Sequence, residues 1–171
     1  MIFGGTDYDA DEELPYQKYR FGDVIDDRDI SQSRNMTLVV CYEFMDLTGG
    51  QFSFNQLAFD ANDAKIYFER MKTLSKSCIN DITDNDSRQW HLYPTRGSKI
   101  WNEISKIYPK RLTLKTLPPI MHFALYTCEG QADREQGIKS PRIHFIVGSH
   151  GIIYPLFYDP YHEMNSIKKI S

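Results

Sequence analysis

The sequence lacks the features that mark several large protein classes. No apolar run approaches the roughly 20 residues that a membrane-spanning helix requires, and the first residues show no basic-then-apolar signal pattern. Only three cysteines are present, Cys41, Cys78 and Cys128. They are far apart and show no CxxC or Cys/His ligand spacing, which favours reduced thiols over disulfides or a zinc site. These absences predict a cytoplasmic protein that has no contact with membranes.

The chain also lacks the common nucleotide-binding and hydrolase motifs. It contains no GxxxxGK[ST] phosphate loop and no GxGxxG dinucleotide fingerprint. The HExxH zinc motif and the GxSxG nucleophile elbow are missing as well. Any chemistry must therefore come from side chains that the fold brings together, and we predict that the protein uses no cofactor.

What the chain does contain is material for one globular domain. Its 171 residues fall within the usual size of about 100 to 200 residues for a single domain. Hydrophobic residues make up 41%, which is enough for a core without disulfides or metals. There are 11 Tyr and 10 Phe but only 2 Trp. Tyrosine-rich strands suit sheets with one wet face, and they also suit base-stacking surfaces.

The charge is distributed unevenly along the chain. Residues 1–30 hold nine acidic and three basic side chains, whereas the other 141 residues hold fourteen acidic and seventeen basic ones. We therefore predict an acidic flexible leader over residues 1–35 and a single domain over residues 36–171. Such a leader is usually a solvated tail. The functional alternative is an acidic arm that covers a basic site or docks on a basic partner.

Hydrophobic periodicity divides the first two thirds into a hairpin and two helices. Residues 36–45 and 51–59 have strand character and flank the turn sequence DLTGG, which predicts a β-hairpin. A helical stripe then runs over residues 61–79, with Asp60 and Asn62 as candidate N-caps and a polar turn after it. A second helix is predicted from Ser98 to Tyr108, where Pro109 stops it.

The last third is predicted to be sheet. Strands are expected over residues 118–128, 142–147 and 152–158, with a long polar loop at 129–141 and a tight turn at 148–151. Pro155 has no amide hydrogen, so the last strand is expected to be an edge or bulged strand. The overall prediction is an α+β fold: an antiparallel sheet, made of the N-terminal hairpin and three C-terminal strands, with two helices on one face.

Side chains suited to acid–base chemistry lie on the three C-terminal strands. Alternation along each strand would place five of them on a single surface of the sheet. They are His122, Arg142, His144, Tyr154 and Tyr158. Together they match the needs of metal-free RNA cleavage: a base for the 2′-hydroxyl, a cation for the phosphate and an acid for the leaving oxygen. Each residue alone is more often a hydrogen-bonded packing residue, so the hypothesis depends on their proximity.

A basic stretch accompanies this surface. Residues 96–115 hold six cations and one acid, Glu103, which is a strong local excess in a chain that is acidic overall. By helical periodicity, Lys99, Lys106 and Lys110 point away from the apolar stripe of the second helix. Ordinary polar-out patterning explains such lysines, but the excess also suits a phosphate backbone.

The order of elements over residues 61–163 resembles that of the RelE-like bacterial toxins, small ribonucleases of toxin–antitoxin systems. The resemblance rests on a helical pair, an arginine opening RIHFIV, and the segment IIYPLFYDPYH ending at His162. It implies that Arg142 stabilises the scissile phosphate and that Tyr158 or His162 transfers a proton. The predicted catalytic residues are Arg142, His144, Tyr158 and His162. The predicted RNA-binding residues are Lys99, Lys106, Lys110 and Arg111.

Two functional hypotheses follow. The first is a metal-independent RNA-cleaving or RNA-binding protein of a toxin–antitoxin or phage-defence type, with RNA and an antitoxin as partners. The second is a non-enzymatic phage or mobile-element protein that binds a protein partner through an aromatic edge strand, YPLFYDPY, and the acidic arm. A third reading, a metal-dependent hydrolase built on Asp159, His162 and Glu163, has the right ligand types but no recognised spacing.

Overall fold

A computed structural model of the protein describes residues 35–84, 93–95, 98–107, 120–126 and 137–164. Five strands and three helices lie in this part of the chain. In chain order they are β1 (Val39–Val40), α1 (Ala61–Leu74), α2 (Ile79–Asp84), β2 (Tyr93–Pro94), α3 (Ser98–Ile107), β3 (Ile120–Ala124), β4 (Arg142–Val147) and β5 (Ile152–Asp159). The predicted leader, residues 1–35, lies outside the described residues except for its last position.

The strands form one mixed sheet with the order β1-β5-β4-β3-β2. The antiparallel pairing of the three C-terminal strands is confirmed, with His122 opposite His144 and Arg142 opposite Asp159. The prediction of a purely antiparallel sheet is wrong, because β1 runs parallel to β5, with Val39 opposite Ile152.

The predicted N-terminal hairpin does not form. Residues 51–59 are a series of turns, although Phe52 and Phe54 are both buried as the alternation suggested. The two rings enter different hydrophobic clusters. Residues two apart on a strand face the same side of a sheet, so this divergence requires a turned backbone. The Ser53 hydroxyl supports the turn, accepting from the amides of Gly49 (3.1 Å) and Asn55 (3.0 Å).

The helices lie on both faces of the sheet, so the prediction of two helices on one face is also wrong. On one face, Tyr67, Met71 and Leu74 of α1 pack in a cluster with Ile143 and Phe145 of β4. On the other face, Ile100 and Ile104 of α3 pack in a cluster with Ile120, Ile146 and Tyr154. Because residues 145 and 146 alternate along β4, these clusters occupy opposite sides of the strand.

The first predicted helix is shorter than expected. Asp60 is its N-cap, as predicted: its carboxylate accepts from the amides of Asn62 (3.0 Å) and Asp63 (2.9 Å). The helix ends at Leu74, and the predicted polar turn at 80–87 is replaced at its start by the short helix α2. The buried side of α1 includes Tyr67, whose ring centroid lies 5.2 Å from that of Phe54.

Strand β5 is an inner strand, so its predicted edge position is wrong. The N-terminal segment forms hydrogen bonds with the outer side of β5. Cys41 N donates to Ile153 O (2.8 Å), and Asp46 N donates to Leu156 O (2.9 Å). The predicted bulge is confirmed, since pairing with β4 shifts between His144–Phe157 and Phe145–Pro155. The aromatic segment proposed as a docking edge is therefore buried except for its last residue, Tyr161.

A tight turn joins β4 to β5. His150 and Gly151 both have left-handed backbone conformations, with φ of 58° and 73°. A Cβ on Gly151 would lie 3.1 Å from the Thr37 carbonyl oxygen and 3.3 Å from the Met36 Cβ. The missing side chain lets the residues before β1 pass directly over this turn.

Candidate functional site: a buried histidine cluster

Two histidines face each other across the middle of the sheet. His122 of β3 and His144 of β4 are directly opposite in register, and their ring centroids lie 5.3 Å apart. They are 1% and 0% exposed. Both project from the face covered by α3, because His144 alternates with Ile143 and Phe145 of the opposite cluster.

The hydroxyl of Thr95 joins the two rings. Thr95 follows β2, whose Tyr93 pairs with His122, and this places its side chain beside both imidazoles. Its Oγ1 lies 3.1 Å from His122 Nδ1 and 2.9 Å from His144 Nδ1. One half-buried hydroxyl therefore bridges two buried imidazoles.

A buried carboxylate completes the inner part of the cluster. Asp159 Oδ2 lies 3.6 Å from His144 Nε2, within ion-pair range and longer than a hydrogen bond. Burial alone would raise the pKa of Asp159, but its pairing with His144 and two backbone amides hold this pKa below its usual value. The amides are those of Glu163 (2.9 Å to Oδ1) and Met164 (2.8 Å to Oδ2).

The same two hydrogen bonds position the third histidine. They fold residues 159–164 into a turn that carries His162, whose backbone is left-handed with φ of 56°. The His162 ring centroid lies 5.4 Å from that of His122. His162 is half-buried as a residue, although its Nε2 atom is buried, whereas His122 and His144 are buried as whole residues. It is therefore the most exposed residue of the three histidines in the cluster.

A lysine of α3 lies beside this turn. Lys99 Nζ is 3.3 Å from Glu163 Oε2, which also accepts from Gln51 Nε2 at 2.8 Å. The Lys99 side chain is 48% exposed, so its charge remains available to a ligand. Lys106 is also exposed and pairs with Glu103 at 2.6 Å. The other two predicted RNA-binding residues, Lys110 and Arg111, lie outside the described residues.

Arg142 is close to the cluster, but its guanidinium is held by the backbone. The side chain is buried, and its Nη1 donates to the carbonyl oxygens of Ser140 (2.9 Å), Pro141 (3.2 Å) and Tyr126 (3.2 Å). It also lies 3.1 Å from Ser140 Oγ. These contacts fasten the start of β4 to the end of β3.

Tyr158, in contrast, lies on the opposite face of the sheet. The bulge near Pro155 shifts the alternation by one residue, so Tyr158 no longer shares a face with Tyr154. Its hydroxyl hydrogen-bonds the buried carboxylate of Asp63 on α1. Of the four predicted catalytic residues, the fold therefore places His144 and His162 each beside His122, places Arg142 at the border of this cluster and separates Tyr158 from it.

The electrostatic surroundings keep His122 neutral. Burial lowers its pKa to about 3, helped by the nearby His144, His162 and Arg142, while Asp159 acts in the opposite direction. A neutral imidazole has one N–H donor and one acceptor nitrogen. His122 therefore offers a proton on one side of its ring and a lone pair on the other.

This shift predicts a dependence of stability on pH. Below about pH 6.5 the unfolded chain binds a proton at His122 that the folded protein excludes down to about pH 3, so stability should fall as the pH falls through this window. The slope from this group is at most about 1.4 kcal/mol per pH unit. Denaturant unfolding of the wild type and of His122→Asn across this range measures it. An unchanged slope in the variant would contradict the assignment.

Sequence reasoning missed Thr95 and the pairing of Asp159 with His144. Thr95 follows a strand of only two residues. Such a strand is too short for an alternating pattern to predict which side chains lie beside Thr95. The sequence suggests Asp159 only as a metal ligand. Among the described residues, no group of three or more His, Cys, Asp or Glu side chains is arranged to hold a metal ion. In the same part of the chain, no helix is long and apolar enough to cross a membrane.

Comparisons with protein-family models, with curated proteins and with solved structures found no match.

Proposed function

We propose that the protein is a metal-independent RNA-cleaving or RNA-binding protein in which His162 meets the substrate. The observation that carries the proposal is the meeting of three imidazoles and one carboxylate, with His162 half-buried and the other two imidazoles buried. Histidine is the side chain best suited to exchange protons near neutral pH. The exposed charge of Lys99 lies beside the same turn.

RNA is the substrate class that the histidines of the cluster and the nearby lysine suit best. Its 2′-hydroxyl supplies an internal nucleophile, so cleavage needs a base, an acid and a cation but no metal. We assign proton transfer to His162, with His144 behind it in the cluster. Lys99 is better placed than Arg142 for the phosphate, because the Arg142 Nη1 is surrounded by backbone carbonyls.

The basic residues of α3 and its continuation would hold the RNA backbone. Lys99 and Lys106 have side chains that are 48% and 67% exposed, and in the described part of the chain they pair with Glu163 and Glu103. The Lys99–Glu163 pair is exposed on both sides, and surface ion pairs of this kind are weak, so a phosphate can displace it. Lys110 and Arg111 extend the same sequence stretch, and we propose them as further phosphate contacts. A toxin–antitoxin or phage-defence setting, with the acidic leader as an inhibitory or docking arm, remains part of the proposal.

The decisive experiment compares RNA cleavage by the wild type and by His162→Asn. Asparagine tolerates the left-handed backbone that position 162 requires, so the turn should persist. Loss of an acid–base group should slow cleavage by about 100-fold or more. Cleavage of a labelled single-stranded RNA is followed in the presence of EDTA, together with a DNA strand of the same sequence. The DNA should stay intact because it lacks the 2′-hydroxyl.

His150→Asn is the matched control. His150 is also a histidine in a left-handed conformation, but it is exposed at the β4–β5 turn. This variant should cleave as the wild type does. Equal activity of His162→Asn and wild type would remove His162 from the mechanism, and the absence of cleavage by the wild type would leave only RNA binding.

Protein binding is the second candidate, but through a different surface from the predicted edge strand. Several large apolar side chains between residues 36 and 68 are exposed, among them Leu47, Leu57 and Phe68, which is 58% exposed. Aromatic and aliphatic side chains at a surface are common interface anchors. If the wild type neither binds nor cleaves RNA, this region is where a partner should be sought.

A further inference from the structure

The position of the Thr95 hydroxyl determines how protons are arranged in the cluster. Its Oγ1 is within hydrogen-bond distance of His122 Nδ1 (3.1 Å) and of His144 Nδ1 (2.9 Å). A hydroxyl has one proton to donate. Thr95 can therefore donate to only one of the two nitrogens, and the other nitrogen must carry its own proton and donate to Oγ1.

The carboxylate of Asp159 selects between these arrangements. His144 Nε2 is fully buried and has no hydrogen-bond partner among the described residues, but Asp159 Oδ2 lies 3.6 Å away. A proton on Nε2 is favoured beside this negative charge. When His144 is neutral, its Nδ1 is then the acceptor and Thr95 donates to it. His122 must in turn donate from Nδ1, which leaves its Nε2 unprotonated.

We propose that Thr95 is a proton-relay residue that couples the protonation of His144 to the tautomer of His122. A proton that binds to His122 Nε2 releases the proton on Nδ1 to Thr95 Oγ1. Thr95 passes its own hydroxyl proton to His144 Nδ1. One proton enters and one is stored: His144 becomes an imidazolium beside Asp159, and His122 stays neutral with its proton now on Nε2.

The charges around the two rings favour this direction of transfer. The rings are faced by Arg142 at the start of β4, by Asp159 at the end of β5 and by His162 on the following turn. Arg142 opposes a positive charge on His122, whereas Asp159 lies directly beside His144. The relay therefore moves an incoming positive charge away from Arg142 and towards the carboxylate of Asp159.

The use of this relay in catalysis rests on the proposed function. His162 has its ring next to that of His122, so the relay provides a buried store for a proton next to the residue assigned to the substrate. The hydrogen-bond chain from His122 through Thr95 to His144 does not depend on RNA being the substrate. It can be tested without any measurement of cleavage, so its failure and the failure of the proposed function are distinguishable.

The test is nitrogen-15 NMR of the histidine side chains during a pH titration of the full-length protein. The chain has five histidines, which makes assignment by single substitutions practical. In the wild type, the His122 proton should move from Nδ1 to Nε2 as His144 gains its second proton. Thr95→Val keeps the shape of the side chain but removes the hydroxyl, and in this variant the coupled change should be lost. Thr95→Ser should restore it.

Three outcomes would overturn the relay. In the first, His122 keeps one tautomer in the wild type while His144 titrates. In the second, Thr95→Val retains the coupled change. In the third, Thr95→Ser behaves as Thr95→Val does, which would show that a hydroxyl at this position is not sufficient for the coupled change. If Thr95→Val does not fold, as judged by its backbone amide spectrum, the wild-type titration and Thr95→Ser still decide the question.

Discussion

Replacement of Asp63 by alanine should lower the free energy of unfolding by about 3–5 kcal/mol. The side chain of Asp63, in the first turn of α1, is fully buried and accepts hydrogen bonds from Tyr126 OH (2.8 Å), Lys139 Nζ (2.9 Å) and Tyr158 OH. Without the carboxylate, all three donors lose a hydrogen bond to a charged acceptor, although the Ala58 carbonyl oxygen still accepts from Tyr158 OH and from Lys139 Nζ, which also keeps Asp60. Hydrogen bonds to a charged group are each worth about 1.5–3 kcal/mol, so the loss is expected to be large even with these remaining partners.

Denaturant unfolding at neutral pH measures this loss, with Asp60→Ala as the comparison. Asp60 is the other carboxylate bound by Lys139, at 2.7 Å, but its side chain is half-exposed. Its removal should therefore cost clearly less, mainly through the lost N-cap. Equal losses in the two variants would show that burial of Asp63 is not what makes its contacts important.

The second large effect is expected for Arg142→Met, which should destabilise the protein by about 3 kcal/mol. Methionine fills much of the space of the arginine stem but donates no hydrogen bond. The carbonyl oxygens of Ser140 and Tyr126 would lose their contacts with the guanidinium, and each buried polar group left without a partner costs about 1–3 kcal/mol. The start of β4 would then separate more easily from the end of β3.

Thermal or denaturant unfolding of Arg142→Met, run beside Arg142→Lys, tests this expectation. Lysine retains the charge but cannot reproduce the planar fork, so it should recover only part of the loss. The comparison also separates two roles of Arg142. A variant that keeps its stability but loses RNA cleavage would assign Arg142 to the phosphate, as the family resemblance implied.

Local patterns were sufficient to predict strands β4 and β5 and the start of α1. The strand RIHFIV has the predicted bounds, and β5 differs from its prediction by one residue. Asp60 caps α1 because a carboxylate before an apolar stripe satisfies free amides in almost any context. Such features depend on neighbours within a few residues, and these neighbours are visible in the sequence.

The fold departs from prediction where long-range packing overrides local pattern. Two phenylalanines separated by one residue, as Phe52 and Phe54 are, are compatible with a strand. They are equally compatible with a turn in which the two rings enter separate clusters. The sequence predicts a bulge near Pro155 as one of two options. It does not predict that this bulge places Tyr158 on the other face of the sheet. A shift of one residue moves a side chain to the other face, and nothing within β5 fixes where the shift falls.

For the same reason, only part of the histidine cluster could be predicted from the sequence. Alternation correctly placed His122 and His144 on one face, because both stand within regular strands. Thr95 and the turn carrying His162 depend on contacts between segments distant in sequence: β2 pairs with β3, and Asp159 closes the turn from the end of β5. Single-sequence periodicity carries no information on such pairings.

The covering of β5 by the N-terminal segment has a consequence for the synthesis of the protein. Val39 pairs with Ile152, 113 residues later, and Tyr158 N donates to the carbonyl oxygen of Phe52 at 2.9 Å. Contacts that close such long loops form late, whereas the β4–β5 hairpin closes locally. On the ribosome, residues 39–54 emerge long before their binding strand exists. The segment that is made first is therefore expected to dock last, and a chaperone or a ligand present during translation would meet it in its unpaired state.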